Sequence, residues 1–88
     1  MFQGTIDLDA AAPVEATVMS DVLFERGVYW ASGRAGVVSL VAAHKWFNLA
    51  ASKGRADAVA MRREVAAQMS EAEIAVAQRE ARAWIGAH

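Results

Sequence analysis

The stretch Gly27-Val28-Tyr29-Trp30-Ala31-Ser32-Gly33-Arg34, followed after a short linker by Ala43-His44-Lys45-Trp46-Phe47-Asn48-Leu49-Ala50-Ala51-Ser52-Lys53-Gly54, decides the fold of this chain. Small and aromatic residues alternate through it at helical spacing, and glycines close both halves. This is the pattern of two short antiparallel helices that approach each other closely and then turn sharply. Glycine suits both ends because it accepts the left-handed conformation that terminates a helix.

Working outward, Val22, Leu23, Arg26 or Gly27, and Trp30 recur at i, i+3/i+4, i+7, which predicts a helix from about Ser20 to Ala31 that Gly33 stops. Ser20 is read as its cap, and Pro13 offers an alternative start as a first-turn proline. Phe24 and Tyr29 fall off this stripe. Residues 34–38 form a turn, and Ser39 caps a second helix from Leu40 to Lys53. Its apolar stripe is Leu40, Ala43, Phe47 (with Trp46 beside it) and Ala50, while Lys45, Asn48 and Ser52 face water. A third helix is expected over about Ala56 to Gln68, with Ala58, Met61, Val65 and Met69 on one side. Ser70-Glu71-Ala72-Glu73 reads as a capping box that opens a fourth helix, whose stripe is Ile74, Ala77, Ala81, Trp84 and Ile85. Residues 1–12 show no helical period and are read as an extended or disordered N-terminal arm, in which Phe2, Ile6 and Leu8 alternate with polar neighbours.

At 88 residues the chain is one small domain, over residues 13–88, near the size at which a single core is barely sufficient. Hydrophobic residues make up 56% of it, but 21 residues are alanine, which favours helix while burying little area. The core is therefore thin, and Phe24, Trp30, Trp46, Phe47 and Trp84 must supply much of its bulk. A net charge of −1 carries no polyanion-binding signature. The charge is unevenly placed, at −3 over residues 1–43 and +2 over residues 44–88, an asymmetry that can orient head-to-tail association. Absence of cysteine excludes disulfides, thiolate metal sites and a cysteine nucleophile. The start of the chain has no basic, apolar leader pattern, and no run approaches the roughly 18 apolar residues of a bilayer span. The expected compartment is the cytoplasm, and a membrane-attached partner is compatible with it.

Gly27, Trp30, Gly33, Ala43, Trp46, Phe47, Ala50, Ala51 and Gly54 together resemble the Sel-one-like repeat (SLR) family, relatives of the tetratricopeptide repeats. The resemblance implies an all-α fold of about four helices, in antiparallel hairpins stacked as a short right-handed array. It also implies protein–protein binding, as a small adaptor or accessory subunit of a larger bacterial assembly. Three positions depart from the family pattern. Arg26 stands where leucine is preferred, Ala35 where the second glycine is, and Ser39 where aspartate is. Serine caps as aspartate does, but a charge at a usually buried site needs a partner or exposure. One repeat length further on, Ala58 fits the pattern and Arg63 does not. Residues 20–54 thus form one clear unit, and 55–86 a diverged capping pair. Stacked repeats usually need about three units to bury their faces, so this chain is expected to lean on its last helix, on a second copy or on another protein.

No constellation of residues predicts catalysis, and neither a cofactor nor a small-molecule substrate is expected. The histidines are His44, read as a surface residue, and His88 at the end, whereas a metal site needs three or four converging ligands. Glu71, Glu73 and Glu80 read as capping and solvated charges, and Gly33-Arg34-Ala35-Gly36 is too short to cradle phosphate. The expected partner-binding residues are Phe24, Arg26 and Tyr29 on the first helix, with Phe2 and Ile6 in the arm, since aromatics favour interface centres. The alternative is a nucleic-acid or anionic-surface site at the basic turn, made by Lys53, Arg55, Arg62 and Arg63.

Overall fold

The computed structural model of the chain describes residues 4–87, with side chains described over residues 17–87. It is all-α, with four helices: α1 (Gly4–Ala31), α2 (Leu40–Ser52), α3 (Asp57–Ala66) and α4 (Glu71–Ala87). No strand occurs among the described residues, and none of these helices is long and apolar enough to cross a membrane.

Local chemistry sets most of the ends. Ser39 has extended backbone, and its hydroxyl accepts a hydrogen bond from the Ala42 amide at 3.2 Å, so it caps α2. The capping box of α4 closes both ways: the Ser70 amide donates to Glu73 Oε1 at 2.8 Å, and the Glu73 amide donates to Ser70 Oγ at 3.1 Å. Gly33 and Gly54, at φ +82° and +105°, turn the chain away from the ends of α1 and α2.

The start of α1 differs from the sequence reading. The helix runs from Gly4, so residues 4–12 of the expected arm have helical backbone and Ser20 is an interior residue. Ser20 is buried, and its hydroxyl donates to the Thr17 carbonyl at 2.8 Å instead of capping. Alanines 10, 11, 12 and 16 favour helix and carry it past Pro13, which has no amide to give to the preceding turn. Phe2 and His88 lie outside the described residues, as does the side chain of Ile6.

Helix α2 sits at the centre and packs against α1, α3 and α4. Its pairing with α1 is antiparallel. At one end the Ser39 amide donates to the Trp30 carbonyl at 3.1 Å; at the other, Arg55 meets Asp21 at 2.8 Å. Between them the Phe47 ring lies on the backbone of Gly27. By Asp21, α2 has already ended, so the first four turns of α1 run beyond it and stretch the molecule to 54 × 25 × 21 Å. One core cluster joins Leu23, Leu49, Ala50, Ala58 and Ala81 from all four helices; the other joins Ala43, Phe47 and Val65. Among the described residues, only Phe47, Leu23 and Leu49 are large side chains buried completely, the thin core that the alanine content predicts. Leu49 lies off the predicted α2 stripe and is buried because helices flank α2 on several sides. Conversely, Val22 and Ile85, predicted for core stripes, are 42% and 53% exposed. Each stands one position from the residue that takes the inner place, Leu23 and Trp84 respectively.

A methyl group at Gly27 would stand 2.5 Å from two carbons of the Phe47 ring, whereas one at Gly86 would meet nothing within 4 Å. Gly27→Ala is therefore expected to destabilise the fold by about 1–3 kcal/mol through overpacking, despite the better helix propensity of alanine. Gly86→Ala should leave stability unchanged or slightly raised. Urea denaturation of the two variants checks the contrast, and equal midpoints would contradict the close approach.

Candidate protein-binding face

Helix α1 has one face closed by the fold and one left open. Leu23 and Gly27 point inward with Trp30 half-buried beside them, while Val18, Val22, Glu25, Arg26 and Tyr29 recur every three or four residues on the exposed side. Val18, Val22 and Tyr29 are 57%, 42% and 43% exposed. A shallow groove of about 490 Å³ lies here, lined by Asp21, Val22, Glu25, Arg26, Tyr29 and Arg34. Its walls are set by local contacts. The Tyr29 ring stands edge-on to Trp30 at 5.4 Å, and Arg34 Nε donates to Ser32 Oγ at 3.3 Å. Arg26 meets the need for exposure that its position imposes: it is exposed, with its guanidinium 4.9 Å from the Trp46 ring centre.

Of the five residues expected to bind a partner, Arg26 and Tyr29 lie on this face. Phe24 does not. It is half-buried, packs against both core clusters, and holds its ring 5.4 Å from that of Phe47. The buried arc of α1 is wider than a single stripe, because Arg55 from the α2–α3 turn also covers Phe24, with its guanidinium 3.9 Å from the ring centre. Val18 and Val22 are the residues that sequence reasoning missed. Val22 was given to the core, and Val18 precedes the helix start expected at Ser20.

The basic turn does not present four free cations. Arg55 is engaged by Asp21 at 2.8 Å and by Asp57 at 2.8 Å, and the hydrogen bond from Arg55 to Asp57 lowers the pKa of the Asp57 carboxyl from its ordinary value. Arg62 is half-buried and donates to Asn48 Oδ1 at 2.8 Å. Lys53 and Arg63 are exposed. Lys53 borders a second groove of about 350 Å³ with Met19, Trp84 and Ile85.

His44 is not a surface residue. It is 3% exposed, and its Nδ1 has no hydrogen-bond partner. It lies one turn before Asn48 on the side of α2 that α3 covers, which the single-stripe reading of α2 left facing water. Burial lowers its pKa below the ordinary value, and the nearby positive charge of Arg62 lowers it further. Among the described residues, no group of three or more His, Cys, Asp or Glu side chains is arranged to hold a metal ion. Comparison of the chain with protein-family models, curated proteins and solved structures finds no match.

The His44 environment sets the sign of a pH dependence. The unfolded chain takes up a proton at His44 near the ordinary value of about 6.5, while the folded chain resists it, so below that pH the unfolded state binds more protons. Stability from this group is complete above about pH 6.5 and is lost as the pH falls toward the lowered folded value. Urea midpoints measured from pH 8 down to pH 5 should therefore decline in the native chain and decline less in His44→Met. Parallel pH profiles for the two proteins would contradict the buried, neutral imidazole.

Proposed function

We propose that the chain is a non-catalytic protein–protein interaction module, a small cytoplasmic adaptor or accessory subunit built on an SLR-type helical hairpin. It presents the outer face of α1 to its partner. The observation that carries this reading is the row Val18, Val22 and Tyr29, exposed together along one side of a helix whose opposite side is buried. Exposed apolar rows with charged borders are a common form of protein-docking surface. The SLR-type reading is supported by the contact at its centre: Gly27 and Phe47 touch, Ala43 and Ala50 are buried on the same helix, and Gly33 and Gly54 take positive φ after the helices they follow. An anionic ligand at residues 53–63 has less support, because Arg55 and Arg62 are already hydrogen-bonded within the fold.

Tyr29→Ala and Val22→Ala are expected to weaken capture of the proteins that co-purify with the tagged chain, by about 1–3 kcal/mol each as interface anchors, with thermal melting unchanged. Neutralising Lys53 and Arg63 should leave capture intact, and affinity should vary little with salt. A steep salt dependence that disappears when the basic turn is neutralised would replace this reading with phosphate or anionic-surface binding.

A further inference from the structure

We propose that the outer face of α1 pairs with the same face of a second copy, antiparallel, about a two-fold axis between Glu25 and Arg26. The proposal rests on the protein-binding reading above and names the partner. In a two-fold interface every contact occurs twice, residue i against j and j against i, so the surface must be its own complement. The row Val22, Glu25, Arg26, Tyr29 meets that condition. Set against its own reverse, it places Val22 opposite Tyr29 of the second copy, and Glu25 opposite Arg26 of the second copy. Apolar meets apolar on both flanks, and acid meets base twice at the centre. All four residues are exposed, they share one side of α1, and Glu25 has no ion pair among the described residues.

Two further features fit the same register. Val18, the most exposed of the described α1 apolar residues, falls toward the turn that follows α1 in the second copy. The first half of α1, which runs beyond α2, then extends alongside the second copy's turn. Val37 and Val38 are 63% and 56% exposed there. A parallel arrangement in register would instead set Glu25 against Glu25, a like-charge juxtaposition that opposes association. The matched stretch, residues 18–33, is short, which places the pair among small and reversible interfaces.

Sedimentation velocity on the full chain from micromolar to millimolar concentration tests the proposal. The native chain should show a concentration-dependent monomer–dimer equilibrium. Glu25→Arg and Arg26→Glu should each weaken self-association at least tenfold, and an equimolar mixture of the two variants should recover the dimer, because each then supplies the charge that the other lacks. Arg26 also stacks on Trp46, so circular dichroism checks that its variant folds. If it does not, Val22→Lys and Tyr29→Asp form a second complementary couple in the same register and should behave likewise. A native chain that stays monomeric throughout, or single variants that dimerise as the native chain does, overturns the pairing. Should the chain be monomeric while Tyr29→Ala still loses a cellular partner, self-pairing fails and the protein-binding reading stands. Should Tyr29→Ala alter neither self-association nor partner capture, both fail.

Discussion

The contact on which the rest of the structure depends is the Phe47 ring lying where a side chain of residue 27 would be. An aromatic ring needs that space if it is to be fully buried between two helices in so small a domain. Glycine at 27 lets α2 come within ring thickness of the α1 backbone, and Ala43 and Ala50, one turn either side of Phe47, keep the same seam narrow. Dispersion energy falls steeply with separation, so close approach recovers contacts that an alanine-rich core lacks in volume. With just three large side chains completely buried among the described residues, the fold is held by nearness more than by bulk.

That economy makes α2 the shared wall of the domain. Because α1, α3 and α4 all pack on it, its burial extends well round the helix instead of forming one stripe. Leu49 gains a core position from this. His44 is drawn into the same covered zone with an unsatisfied nitrogen, and the Asn48–Arg62 hydrogen bond supplies polar contact one turn away. A buried imidazole in such a site is tolerated as long as it is neutral.

The features legible in the sequence are those decided within about one helical turn. Ser39, the Ser70–Glu73 box, Gly33 and Gly54 act on neighbours three or four residues away, and each does in the structure what its chemistry predicts. Features set by distant neighbours were not legible. Whether Phe24 is covered depends on Arg55, and the Asp21 that orients Arg55 lies 34 residues from it. Val22 and Leu23 are equally apolar and adjacent, so periodicity alone does not say which one faces α2. For the candidate face, Arg26 is a charge at odds with a buried stripe and Tyr29 lies off that stripe, whereas Val22 reads as part of the core stripe and Val18 falls before the helix start expected at Ser20.

The uneven charge of the chain takes on a structural meaning in this light. Part of the positive charge of the second half is directed at the rim of the core. Arg55 covers Phe24, and Lys45 lies 4.4 Å from the centre of the Trp46 ring, to which Arg26 also turns. These aromatics are half-buried because a thin core cannot enclose them, and a cation over the ring closes the open side while its charge stays hydrated. Of the four cations that resemble a phosphate-binding turn in the sequence, Arg55 and Arg62 are thus engaged within the fold, while Lys53 and Arg63 are exposed. The outer side of α1 has no such cover over Val18 and Val22. That exposed row is the surface on which the proposed protein-binding reading rests.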